Sequence, residues 1–194
     1  MGFKLFLLLE KILIILPKNI RKSFFNLLAT IAYSASSRYR NVAYSNLDFA
    51  FDGKMSEDEK KEITKYSFKN LLLNFLHLME IRHMSKDELK SKITIQNIEA
   101  VEKAHKEGRP VIYVTPHYSA WELGGSSIGA FIEPITAVYK SMKNKQYEEW
   151  LLESRAHFGN KYLEKKNVLK PLIKLIKNGE GCGIGIDTGL NKRE

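Results

Sequence analysis

Cysteine occurs once in the 194 residues, at Cys182, so neither an internal disulfide framework nor a four-cysteine zinc site can form. This usage gives no sign of an oxidising compartment. Five Pro and 12 Gly exclude collagen-like and low-complexity chains. Acidic residues are scarce, 22 against 31 basic, and the formal charge is +9. No arginine-rich tail or nucleic-acid motif accompanies that charge, and no nucleic-acid partner is expected. No HExxH or similar histidine spacing suggests a metal, and no cofactor is called for. What is present, 44% hydrophobic and 27% charged residues, is ordinary for a globular chain and excludes disorder throughout.

The basic excess is local. Residues 1–45 hold seven basic residues (Lys4, Lys11, Lys18, Arg21, Lys22, Arg38 and Arg40) and one acid, Glu10. The most apolar part of the chain lies in the same region. Leu5–Leu9 and Ile12–Leu16 are apolar runs separated by Glu10-Lys11 and closed by Pro17, short of the about 20 residues a clean span requires. Phe24, Phe25, Leu27, Leu28 and Ile31 follow behind Arg21-Lys22. No small-residue cleavage site follows Leu16, which argues against a signal peptide. Residues 1–36 read as an anchor to an anionic membrane, either tilted or interfacial. A helix buried on the domain is the alternative.

Further along, Ser56 with Glu59 forms a capping box that opens a helix over 56–82, carried by Ile63, Tyr66, Leu71, Phe75 and Met79. Arg38 to Phe51 is predicted helical. From residue 93 the pattern changes. Strands are expected at Ile93–Ile95, Val111–Thr115, Ile135–Tyr139, Lys161–Leu163 and Cys182–Ile186, alternating with helices at 97–107, 119–131, 144–157 and 168–178. This alternation predicts an α/β fold with a mostly parallel sheet flanked by helices. The layout is an anchor (1–36), a helical region (37–92) and an α/β core (93–194), with no flexible linker.

The most informative stretch is Val114-Thr115-Pro116-His117-Tyr118-Ser119-Ala120-Trp121-Glu122-Leu123-Gly124-Gly125. His117 follows a buried strand, where parallel sheets present ligand-binding groups. Glu122 can meet it if His117 sits in the loop and Glu122 in the first helical turn. A carboxylate beside an imidazole fixes its tautomer and stabilises its cation, as a general base requires. Gly124 and Gly125 are expected to admit a close neighbour. Ser119-x-x-Glu122 is also a capping box, so Glu122 could serve only backbone donors. Lys140, Lys143 and Lys145 form a cationic cluster for phosphates or an acidic protein, or else a solvated loop. Arg155 is a candidate phosphate ligand or a helix-surface ion pair; Asp187 is a substrate residue or a turn residue. Cys182 reads as core packing. His77, His83, His105 and His157 have no evident partners.

The His-x4-Glu of Pro116–Gly125 resembles the late (lauroyl/myristoyl) acyltransferases of lipid A biosynthesis; the wider glycerolipid acyltransferases share a His-x4-Asp motif. The resemblance extends over roughly residues 10–190. Arg40-Asn41…Asn46-Leu47 with Ala50-Phe51, Arg109–Thr115, Val138-Tyr139-Lys140, Arg155 with Phe158-Gly159, and Gly183–Asp187 are similar to family segments in the same order. It implies a glycerolipid-acyltransferase-like core and transfer of a fatty acyl chain from acyl carrier protein to a hydroxyl of a lipid A precursor. The setting would be the cytoplasmic face of the inner membrane. It implies His117 as general base, Glu122 as its orienting partner, and Lys140, Arg155 and Asp187 as substrate-binding residues. Lys140 stands where the family usually has arginine, and Thr188 where it usually has glutamine. Family members also continue beyond Glu194. The chain is therefore expected to be truncated and incomplete as an enzyme, with Cys182–Ile186 as an exposed edge strand beside an open apolar groove. Two other classes stay open: a phospholipid or glycolipid acyltransferase with another acceptor, and a non-catalytic membrane-associated binding protein.

Overall fold

A computed structural model describes residues 2–185. Ile186, Asp187, Thr188 and Asn191–Glu194, on which several expectations fall, lie outside the described residues. Contacts divide the chain into two compact units between His77 and Leu78, a point inside a long helix.

The first unit is helical. Helix α1 spans Gly2–Ile15, α2 Lys18–Ala35, α3 Ser37–Ala50, and α4, which runs on past the boundary, Glu57–Ile81. Pro17 separates the first two because its ring cannot continue a helix. Arg40 fixes the α2–α3 junction by donating to the carbonyls of Tyr33 and Ser34, the latter at 2.8 Å. These belong to the last turn of α2, where carbonyls lack helical partners and a cation is favoured. The anticipated capping box is present: Ser56 N–H donates to Glu59 Oε2 (2.8 Å) and Glu59 N–H to Ser56 Oγ (3.3 Å). The Ser56 N–H and the Ser56 hydroxyl, which also donates to Glu59 Oε2 at 2.7 Å, hold the Glu59 carboxyl below its usual range.

This unit buries both apolar and charged side chains and leaves further apolar ones exposed. Helix α1 buries Glu10 and Leu13, and α2 buries Arg21, Phe25 and Ala29. Leu5 (67% exposed), Leu8, Ile12, Ile15 (83%), Leu27 and Ile31 face outward. Helix α1 also turns apolar side chains inward: Leu13 is buried, Phe3, Phe6, Leu7 and Ile14 are half-buried, and the Phe6 ring meets Phe75. Among the described residues, no helix is long and apolar enough to cross a membrane.

The second unit is the expected α/β core. Helices α5 (Lys86–Lys90) and α6 (Glu99–Lys106) precede a run of β1 (Ile112–Thr115), α7 (Trp121–Phe131), β2 (Thr136–Tyr139), α8 (Lys145–Ala156), β3 (Lys161–Glu164), α9 (Leu169–Lys177) and β4 (Cys182–Gly185). All the pairings are parallel and the sheet order is β1-β4-β2-β3. Three expectations need correction. Residues 93–95 form no strand; Ile93 instead packs against the core cluster of Ile81, Met84, Leu89, Leu123 and Phe158. Helix α5 was not anticipated, although Ser85 and Glu88 form a complete capping box at its start. The strand beginning at Cys182 is not an edge: β4 lies between β1 and β2, with Cys182 and Gly183 buried. The sheet edges are β1 and β3, and Ile112 and Val114 on β1 are exposed. Cys182 is a buried free thiol in the core, as anticipated.

The glycine expectation also moves. A Cβ at Gly124 or Gly125 would meet nothing within 4 Å. The tight position is Gly129, where a Cβ would lie 2.8 Å from the Phe158 carbonyl oxygen. Beside it the buried Asn160 receives the Ile135 N–H (3.2 Å) and donates to the Gly125 carbonyl (2.8 Å), tying α7 to the start of β2. Gly129→Ala should therefore destabilise the second unit by about 1–3 kcal/mol, as overpacking does. Urea unfolding followed by circular dichroism should show a lower midpoint at an unchanged slope. Gly124→Ala, a helix-favouring change in open space, should not lower the midpoint.

Candidate active site

Because the strands are parallel, their C-terminal ends form one rim, and the loops leaving it carry the candidate residues. The β1–α7 loop turns through Ser119, a non-glycine residue at φ 52°. Left-handed backbone costs such a residue about 1 kcal/mol, so the turn is held against local preference. His117 is exposed in this loop. Its ring meets Trp121 edge-to-face, with centroids 5.5 Å apart. On another side it lies over Gly185 at the end of β4, where a Cβ would come within 3.0 Å of His117 Cε1. The imidazole thus rests on a strand end bare of side chain.

Glu122 is in the first turn of α7 and is 7% exposed. Helix α7 has Ala120, not Ser119, as its N-cap residue. The carboxylate instead receives two bonds from Arg155, Nε to Oε2 at 3.0 Å and Nη2 to Oε1 at 2.6 Å. The Trp121 indole N–H donates to Oε1 at 3.1 Å. This excludes the reading in which Glu122 serves only backbone donors. The planar guanidinium matches the carboxylate with two parallel bonds, the strongest form of such a pair.

Arg155 comes from α8, one βα unit further along. Burial would lower its pKa, but the Glu122 carboxylate holds it above its usual value. The Tyr162 hydroxyl of β3 donates to the Arg155 carbonyl at 3.3 Å. Burial pushes that phenol up to about 12 against the pull of the Arg155 cation, so it remains a donor.

The lysine cluster separates. Lys145 donates to Glu148 at 2.9 Å and is committed there. Lys140 and Lys143 are exposed on the β2–α8 loop. Glu148 is buried and also accepts from the Met142 N–H and from the Tyr139 hydroxyl (3.3 Å), while Ser141 reaches Glu164 at 2.6 Å. The loop bearing Lys140 is therefore pinned at both ends. Asp187 lies outside the described residues. Two histidines without evident partners in the sequence have them: His105 pairs with Glu133 (2.9 Å) and His157 with the Met84 carbonyl (3.0 Å). No group of three or more His, Cys, Asp or Glu side chains that could hold a metal occurs among the described residues.

The C-terminal rim of the parallel sheet thus carries an exposed histidine and an arginine-held carboxylate, and Trp121 touches both. The chain belongs to the bacterial lipid A biosynthesis acyltransferase family, whose profile matches residues 2–194. It is similar to a lipid A biosynthesis acyltransferase of Haemophilus influenzae, 24% identical over 145 residues, covering 75% of this chain and 45% of the relative. It is also similar to a lipid A biosynthesis palmitoleoyltransferase of Escherichia coli, 22% identical over 156 residues, covering 80% and 50%. The chain spans about half the length of these curated relatives.

Sequence reading named Glu122 and Arg155 but gave them separate tasks. The structure makes them one unit and adds Trp121, Gly185 and Glu148. Removing one partner of a buried pair leaves an uncompensated charge, so Arg155→Ala should cost about 3–5 kcal/mol. Arg155→Lys should recover part of that, since the charge returns without the bidentate geometry. Chemical denaturation of both variants measures this.

Glu148 supplies a pH test. Its carboxyl is held low, first by Lys145 and then by the Met142 N–H. A depressed folded pKa contributes stability above the unfolded value of about 4.3, lost as pH falls through the folded pKa. The melting temperature of Glu148→Gln should lie below that of the parent at pH 7, and the gap should narrow as the pH is lowered through the folded pKa, below the unfolded value.

Proposed function

We propose that this chain carries the catalytic rim of an acyltransferase that moves a fatty acyl group from acyl carrier protein to a hydroxyl of a lipid A precursor. The observation that carries the reading is an exposed imidazole and an arginine-held carboxylate on one rim, joined by contacts to the same tryptophan, in a chain of this family. His117 takes the proton of the acceptor hydroxyl as its oxygen attacks the thioester carbonyl. Glu122, held by Arg155, orients the imidazole and stabilises the cation that forms. The tetrahedral intermediate then collapses with expulsion of the carrier thiolate, which takes the proton back from the imidazolium. Backbone N–H groups at the start of α7 are available to the oxyanion. Lys140 and Lys143 offer charge to phosphates of the acceptor. Lys140 does so as a point charge, without the bidentate grip of an arginine. Arg155, occupied by Glu122, serves this chemistry best as the carboxylate's holder.

We assign the outward-facing apolar side chains of α1 and α2 to lipid, with the helices lying in the interface and Lys18 and Lys22 facing anionic headgroups at the cytoplasmic face of the inner membrane. Two observations support this: exposed leucines and isoleucines, and charged residues turned inward.

The test is acyl transfer by the full chain in detergent micelles or vesicles, with acyl carrier protein and acyl-CoA donors supplied separately. Transfer from the carrier donor to a lipid A precursor is expected. His117→Ala should lower it by about 10²–10⁴-fold, the usual contribution of a general base. Transfer that survives this change would overturn the role of His117. Transfer only to a glycerolipid acceptor would favour the alternative acceptor class, and no transfer with any acceptor would favour a binding protein. Partitioning onto anionic vesicles should weaken with salt and fall when residues 1–36 are deleted.

A further inference from the structure

Trp121 stands between the two groups of the proposed dyad and belongs to neither. It is half-buried at the first position of α7. It is not part of the apolar cluster that receives Leu123 two residues on. Side chains on a helix lean towards its N-terminus, so this ring leans back towards the loop that precedes α7. There it meets the His117 ring edge-to-face, with the planes at 71°. Its N–H is directed to Glu122 Oε1, the same oxygen that receives Arg155 Nη2. One rigid side chain thus fixes a carboxylate oxygen with its polar edge and braces an imidazole with its ring. Gly185 bounds the imidazole from another direction.

We propose that Trp121 is a positioning residue, setting the orientation of His117 relative to Glu122; this rests on the acyl-transfer reading of the site. The contact has two separable parts. The N–H donates a hydrogen bond to a charged acceptor, and the ring forms an aromatic pair with the imidazole. Trp121→Phe keeps a ring over His117 and removes the donor. Trp121→Leu removes both. Neither change touches the acceptor-binding lysines, so the losses should fall on kcat rather than KM.

The experiment measures kcat and KM for acyl transfer by full-length Trp121→Phe, Trp121→Leu, Glu122→Gln and the Trp121→Leu/Glu122→Gln double variant. Melting curves and circular dichroism are recorded for each. Trp121→Phe should lower kcat about tenfold, the worth of a hydrogen bond to a charged group. Trp121→Leu should lower it about a further three- to tenfold for the aromatic pair. KM should stay within about twofold, and the double variant should lose less than the product of the single losses, as coupled residues do. Trp121→Leu with parental kcat, or losses that multiply independently, would overturn the proposal. So would equal losses in Phe and Leu variants that track melting temperature, because that would mark a structural role alone. If His117→Ala retains activity, the acyl-transfer reading falls first. If His117→Ala is inactive and Trp121→Leu is not, only the present proposal falls.

Discussion

Everything at the rim depends on the two parallel bonds between Arg155 and Glu122. A carboxylate that is 7% exposed would bear a heavy desolvation cost alone, and the guanidinium offsets it while fixing the carboxylate plane. Arg155 can do this only because α8 is itself tightly seated. Asn144 caps that helix, Trp150 is buried beneath it, and Arg82 grips the Trp150 carbonyl at 3.2 Å and Glu153 at 3.0 Å. The orientation of a side chain on α7 is therefore set by how a helix one βα unit later is anchored.

Much of this core was legible in the sequence because its signals are local. Apolar runs bounded by Pro, and helices starting at Asn144 or Ser56, announce themselves within a few residues. His117 and Glu122 were legible from their place after a strand. What was not legible is long-range. The bond from Arg155 spans 33 residues of sequence, and either residue alone reads equally as a cap, a surface pair or a ligand. Strand order was hidden for the same reason. Arriving last in the chain suggested an edge for β4, yet Gly183, where a Cβ would lie 2.9 Å from Ile135 Cδ1, marks a strand closely covered on that face. Ile93–Ile95 was misread because alternating apolar residues can pack singly without pairing. Gly124-Gly125 was misread because a glycine pair signals permission, not a neighbour.

The helical unit combines buried charge with exposed apolar side chains. Glu10 is 4% exposed and Ile15 83%. On the interfacial placement proposed above, the outward side chains would lose water and the inward charges would be kept from lipid. Arg40, part of the family-like segment, takes its meaning from this unit: it closes the end of α2 with bonds to two of its last carbonyls. Its task there is architectural.

The strand order has a bearing on how the molecule comes into being. Strands β2 and β3 pair directly through α8, a local step. Strand β1, made before either of them, touches neither in the finished sheet and reaches them only through β4. Seventy residues separate Ile112 from its partner Cys182, so this closure is of the slow, non-local kind. During synthesis both flanks of the future β4 slot must wait, open, while the ribosome completes α9 and the strand behind it. His117 can come to rest on Gly185 only once that strand is in place.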